Sequence, residues 1–139
     1  MLKTTTALED VPGMYLDIYV PSPLQKTEAL PVIYVLDGNA YGPLISEALR
    51  LQTRNSPKTK VEPAILVSLC FTDSQDFHRE KRFDRFTPKR RYPPEKDGMK
   101  RKDFPTGGGI QAFWQQLRAI HQYIAAHYFV DATHVGFFG

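Results

Sequence analysis

Hydrophobic and polar positions change period several times along this chain, and each change predicts an element. Met14 to Val20 (Met-Tyr-Leu-Asp-Ile-Tyr-Val) alternates in part, with Asp17 among apolar neighbours, and predicts a strand. Pro21 and Pro23 end it, because proline supplies no N–H to a strand ladder. After a polar connection, Val32-Ile33-Tyr34-Val35-Leu36 is a continuous apolar run closed by Asp37-Gly38-Asn39, which suits a strand buried on both faces. From Pro43 the period becomes helical. Leu44, Ile45, Ala48, Leu49 and Gln52 share one face, Pro43 suits a first helical position, and Asn55-Ser56-Pro57 ends the helix.

Ala64 to Cys70 (Ala-Ile-Leu-Val-Ser-Leu-Cys) is a second apolar run of strand length. Residues 71–109 carry no convincing period and include Pro88, Pro93, Pro94 and Pro105, so they read as a long loop of a functional or disordered kind. The clearest helix follows: Ile110, Phe113, Leu117, Ile120, Ile124 and Tyr128 form one apolar stripe. Val135 to Phe138 is a third short apolar run. The order strand, strand, helix, strand, loop, helix, strand predicts the α/β class, with a mostly parallel sheet and flanking helices. Chemistry in such sheets gathers at the carboxyl ends of the strands, here Asp37-Gly38-Asn39, the exit from Cys70, and the end of the last strand.

Length and composition narrow the class. The chain of 139 residues has 42% hydrophobic and 24% charged residues, as ordinary globular proteins do, and allows one domain over 1–139. No apolar stretch reaches membrane-span length and the start lacks a signal-peptide pattern, so a cytoplasmic location is expected. A single cysteine excludes an intrachain disulfide and a cysteine zinc cluster. The net charge of +3 conceals an asymmetry. Residues 79–102 hold eleven of the eighteen Lys and Arg against four acids, a local +7 that leaves −4 for the other 115 residues.

Several residues have the types that chemistry needs. In the basic stretch, Arg82, Arg85, Arg90 and Arg91 interleave with Phe83, Phe86 and Tyr92, a composition suited to nucleic acid, to a solvated loop, or to a substrate-binding loop. Its prolines deny it a rigid groove-reading helix, and its departure from a central strand favours substrate over nucleic acid. Cys70 with His78 as base would make a nucleophile pair, whereas a lone cysteine ending an apolar strand ordinarily behaves as a small buried hydrophobe. His121, His127 and His134 have no metal spacing, and neither a metal nor a cofactor is expected. Gly38 permits a tight turn after a buried strand and an outward backbone N–H, as an oxyanion hole requires. The triplet Asp37-Gly38-Asn39 equally has the composition of an ordinary turn.

Taken together, the motifs resemble a known family. Pro31 to Asn39 (Pro-Val-Ile-Tyr-Val-Leu-Asp-Gly-Asn) is similar to the "PVLYVLDGN" strand of an α/β-hydrolase branch. That branch includes esterase-D-like enzymes and the hydrolases of ferric enterobactin and bacillibactin. Tyr15 to Pro21 resembles its early strand, and Arg82 with Phe86-Thr87-Pro88 resembles its "RxxDFTP" loop, with Arg85 where the motif has aspartate. Gly107-Gly108-Gly109-Ile110-Gln111-Ala112-Phe113 resembles "GGADAF", and Tyr128 to Gly139 resembles the run into "GHSxGG".

The resemblance implies the amino-terminal half of an α/β-hydrolase fold and a serine carboxylic-ester hydrolase, acting on small-molecule esters of the siderophore type. Gly139 would be the first glycine of the G-x-S-x-G elbow, with the nucleophile, acid and histidine beyond it and the chain itself inactive. It also implies Asn39 as a backbone oxyanion donor shaped by Gly38; loop position and charge, in turn, suggest Arg82 and Arg85 as groups that orient an anionic substrate. The Val135–Phe138 strand would be central in such a fold. Left unpaired it would promote self-association. A non-catalytic binding module on the same half-fold, and a nucleic-acid binder through residues 79–102, are the alternatives.

Overall fold

The structure, a computed structural model, describes residues 1–22, 28–73, 75–89 and 107–139. Its strands are β1 (Leu2–Thr6), β2 (Met14–Val20), β3 (Leu30–Val35), β4 (Ile65–Phe71) and β5 (Val130–Phe138). Its helices are α1 (Gly38–Gln52), the short α2 (Ser56–Thr59), α3 (Arg79–Phe86) and α4 (Ile110–His127). The five strands form one sheet in the order β1-β2-β4-β3-β5. The expected parallel order holds from β4 through β3 to β5. Four of the five strands run in one direction, as expected of a mostly parallel sheet, and β2 alone is reversed, so that β1–β2 and β2–β4 are antiparallel and the sheet is mixed. The short link from β1 to β2 allows only a reversal, whereas β3 and β4 are joined through α1.

Alternation divides the sheet into two faces. Leu16, Ile18, Val32, Tyr34, Ile65, Val67 and Leu69 point to one side, where Phe113, Leu117, Ile120 and Ile124 of α4 cover them. The predicted apolar stripe of α4 is therefore its buried face. Tyr19, Val35 and Leu66 point to the other side, toward Tyr41 and Ile45 of α1. A helix thus covers each face of the sheet, the usual solution for strands apolar on both sides.

Three sequence expectations change. First, α1 begins at Gly38, so Pro43 lies inside the helix and not at its first position. The Asp37 carbonyl accepts from both the Ala40 and Tyr41 N–H at 3.0 Å, and this starts the helix one turn early. Second, α1 buries Gly38, Gly42, Ser46 and Leu49, while Leu44 is 62% exposed. The reason is distance. A Cβ on Gly42 would stand 2.6 Å from Ser68 Oγ and 3.0 Å from Ser68 Cβ, so the helix lies too close to β4 for large side chains. Third, part of the 71–109 stretch is helical, since α3 forms over Arg79–Phe86. Its Phe86 stacks edge-on against Phe113 at 4.8 Å, a tertiary contact that a short charged sequence does not announce. Arg90, Arg91, Tyr92, Pro23, Pro93, Pro94 and Pro105 lie outside the described residues.

The glycine run before α4 serves the same close packing. Gly109 N–H donates to the Asp84 carbonyl at 2.8 Å, Gly108 N–H to the Thr87 carbonyl at 2.9 Å, and Gly107 takes a left-handed φ of 70°. These contacts seat the start of α4 on the end of α3.

β1, which the sequence pattern did not predict, is an exposed edge strand. Its Lys3 and Thr5 reach Asp17 at 2.7 Å and 2.5 Å, which explains how a carboxylate sits among apolar neighbours in β2. A buried carboxylate needs such partners.

Two stability outcomes follow from this packing. Ile120, fully buried on α4, should lose about 2–5 kcal/mol on Ile120→Ala, read as a lower urea midpoint with unchanged slope. Gly42→Val should cost about 1–3 kcal/mol through overlap with Ser68, and Ser68→Gly in the same chain should recover part of it.

Candidate functional site

The carboxyl ends of β3, β4 and β5 meet at one edge of the sheet, and the amino end of α1 rises from it. The Leu36 N–H donates to the Phe138 carbonyl at 2.8 Å, so the end of β5 lies directly beside the approach to Asp37-Gly38-Asn39. Gly38 is pressed against β4. A Cβ there would meet Cys70 Sγ and the Leu69 carbonyl, each at 2.8 Å. Only glycine fits this position, for reasons of space, while the left-handed residue of the turn is Asp37, with φ 51° and ψ 47°.

Asn39 is held by its side chain. Its Oδ1 accepts the Phe71 N–H at 2.8 Å and its Nδ2 donates to the Phe71 carbonyl at 3.1 Å, with Tyr15 Oη 3.5 Å away. The carboxamide thereby takes both backbone groups of the last residue of β4. Its own backbone N–H belongs to the first turn of α1, where donors have no partner within the helix. The helix dipole adds partial positive charge at that place.

Asp37 is 2% exposed, and Arg82 Nε of α3 lies 2.8 Å from its Oδ1. The contact is one of charge, since the N–H is not aligned for a hydrogen bond to that oxygen. Burial raises the Asp37 carboxyl above the usual carboxylate range, and Arg82 counteracts this only in part. An aromatic wall stands next to the pair: Phe77 beneath the Arg82 guanidinium at 5.8 Å, then Tyr41, then Phe138.

Arg85, one turn along α3, points elsewhere. Its guanidinium lies over Phe71 at 5.6 Å, with Gln116 Oε1 and the Pro12 carbonyl each 3.5 Å away, and burial lowers its pKa. It lines a cavity of about 310 Å³ together with Gly13, Lys81, Asp84 and Gln116. The two arginines singled out in the sequence therefore do not converge on one point. Lys81 and His78 both reach Asp73 Oδ2, the latter at 2.7 Å, and the Lys81 ammonium holds Asp73 below the usual carboxylate range.

Cys70 does not meet His78. Its side chain points to the α1 face, whereas His78 packs against the ring of the next residue, Phe71, on the other face. Burial pushes the Cys70 thiol up to about 11, which removes the thiolate that nucleophilic attack needs. His121 Nδ1 lies 2.8 Å from Tyr34 Oη, His127 contacts the Tyr123 carbonyl, and His134, placed within β5 and not before it, contacts Asp131 at 2.6 Å. Among the described residues no three His, Cys, Asp or Glu are grouped to hold a metal ion. No helix there is long and apolar enough to cross a membrane.

Sequence reasoning singled out Gly38 and Asn39 and did not foresee the Asp37–Arg82 pair or the Asn39–Phe71 clamp. The partners are 45 and 32 positions apart, and no local pattern encodes such separations.

The chain is 30% identical over 122 residues to the ferri-bacillibactin esterase BesA of Bacillus subtilis (strain 168), covering 86% of this chain and 41% of that protein. The crystal structure of the BES protein from Bacillus cereus matches with a TM-score of 0.81 at 29% identity, over 99% of this chain and 52% of that one. The siderophore hydrolase EstA from Aspergillus nidulans matches with a TM-score of 0.69 at 19% identity, over 98% of this chain and 46% of that one. At that identity the likeness to EstA shows the fold alone. No family model matches. The chain spans about half the length of these relatives, or less. Sequence and backbone agree: the chain has the α/β-hydrolase fold and is similar to the ferri-bacillibactin esterase BesA and the BES protein over about half of their length.

Proposed function

We propose that this chain forms the oxyanion-stabilising part of a serine carboxylic-ester hydrolase acting on siderophore-type esters in the cytoplasm. The observation that carries the reading is the Asn39 N–H, which stands in the first turn of α1 beside the end of β5, on a residue whose side chain is clamped to Phe71. A fixed backbone donor of this kind stabilises the negative oxygen that forms when a serine attacks an ester carbonyl. The serine oxygen bonds to the acyl carbon, the alkoxide leaves with a proton from a histidine, and water later releases the acid. The name of BesA supports the siderophore ester as substrate class.

Serine, histidine and acid of that mechanism are assigned to residues outside these 139, so the isolated chain is inactive toward esters. Three of the described serines support this. Ser46 and Ser56 bond to backbone carbonyls, and Ser68 Oγ is buried beneath α1. We assign to Arg82 and Arg85 the orientation of an anionic substrate by charge-assisted hydrogen bonds. Nucleic acid is a poorer partner for them, because the two guanidinium groups point apart, Arg82 toward Asp37 and Arg85 over Phe71, and form no continuous basic track. β5 pairs with β3 on one side and exposes Val135, Phe137 and Phe138, which supports self-association of the isolated chain through this strand.

In the protein expressed from its complete reading frame, Asn39→Pro removes the donor and should lower kcat for a trilactone siderophore by roughly 10²–10³. Steady-state hydrolysis checks this, with a thermal melt to establish that the variant folds. Unchanged turnover in a folded variant would refute the assignment, and a protein that binds the siderophore without cleaving it would point to a binding module. In sedimentation velocity the isolated 139 residues should run larger than a monomer.

A further inference from the structure

We propose that the Asp37–Arg82 ion pair is a positioning device that sets the direction of the Asn39 N–H, separate from any contact of Arg82 with substrate. This inference rests on the esterase reading above.

The argument begins with the backbone. Asp37 holds a left-handed conformation, with φ 51° and ψ 47°, one residue before Gly38 and two before the proposed donor. Aspartate enters this conformation more readily than most residues, but it still carries a cost that the surroundings must offset. Three constraints act here. The Asp37 carbonyl starts α1 by accepting from Ala40 and Tyr41. Gly38 has no room to shift toward β4, where Cys70 and Leu69 already touch the space a Cβ would take. The third is the side chain, which Arg82 reaches from α3, an element otherwise joined to α4 and to the exit of β4.

Stability alone does not account for that third constraint. The carboxylate is almost wholly buried, its Oδ1 has no aligned hydrogen bond, and burial raises its pKa by more than Arg82 lowers it. An ion pair whose carboxylate is buried while its guanidinium is half-exposed contributes little to folding compared with a neutral side chain of equal size. What the pair does supply is a link between α3 and the peptide that turns from β3 into α1. A donor misplaced by about 1 Å costs on the order of 10²-fold in rate, so a link that merely holds direction has a kinetic value larger than its energetic one.

The test uses the complete protein and a small neutral ester such as p-nitrophenyl acetate, for which no anionic group contacts Arg82. Asp37→Asn keeps a residue that tolerates the left-handed conformation and removes only the charge. Asp37→Asn and Arg82→Gln should each lower kcat roughly tenfold with KM changed by less than about twofold, and the double variant should be no slower than either single one. Arg82→Lys should restore part of the loss. The melting temperature of Asp37→Asn should equal or exceed that of the parent, which a merely structural role would not allow.

Unchanged kcat in either single variant, additive losses in the double, or a kcat loss that follows loss of folded protein would overturn the proposal. If Asn39→Pro collapses turnover while these variants do not, the esterase reading stands and only the positioning role fails. If the complete protein cleaves no ester, the reading itself fails.

Discussion

The carboxamide of Asn39 takes the N–H and the carbonyl of Phe71 together, at 2.8 Å and 3.1 Å, and so joins the start of α1 to the end of β4. This clamp works only because α1 descends very close to the sheet, and that approach needs residues without a Cβ at Gly38 and Gly42. Much of the site follows from the distance so set. The helix begins at Gly38 and not at Pro43, its first-turn N–H groups sit at the carboxyl edge of the sheet, and Asp37 must turn left-handed to connect β3 to it. A larger residue at either glycine would lift α1 and leave the clamp without a partner.

Close approach also has a cost, visible in the polar atoms it buries. Ser68 Oγ and Tyr19 Oη lie under Gly42 without a hydrogen-bond partner among the described residues, and Asp37 keeps one oxygen with a charge contact but no aligned bond. Each such atom gives up hydration for little return. Their collection along one helix–sheet seam, at the edge where ligand chemistry is expected, fits the general finding that strain is tolerated where geometry serves function. The opposite face contrasts with it. There, α4 covers the sheet with Phe113, Leu117, Ile120 and Ile124, and ordinary apolar packing suffices.

How far the sequence was legible depended on whether a feature was local. The stripe of α4 and the apolar runs of β3 and β4 were plain, because burial of one helical face or both strand faces repeats at short range. On the predicted face of α1, Ile45 and Leu49 do pack inward but Leu44 and Ala48 do not, since periodicity weighs hydrophobicity and the contact face is completed by the small residues Gly38, Gly42 and Ser46. β1 escaped because Leu-Lys-Thr-Thr-Thr is an exposed edge, and α3 because a short helix of mostly charged residues is held by Phe86 against Phe113. At the site, Gly38 and Asn39 were recognisable from one motif, whereas Arg82 and Arg85 looked equivalent in the basic stretch. Only their helical placement separates them, one toward Asp37 and the other over Phe71.

By itself the sequence determined the α/β class, the alternation of buried strands with an amphipathic helix, the concentration of positive charge in residues 79–102, and, through motifs in a fixed order, the resemblance to siderophore esterases. These are properties of spacing and composition, which short-range physics imposes residue by residue. Tertiary structure alone decided that β2 runs against the other four strands, that α1 packs by its glycines, and that Asp37 meets Arg82 while Asn39 meets Phe71. Those outcomes depend on which distant groups share a place once the chain has closed. Loop closure over tens of residues carries no periodic trace in the sequence that produces it.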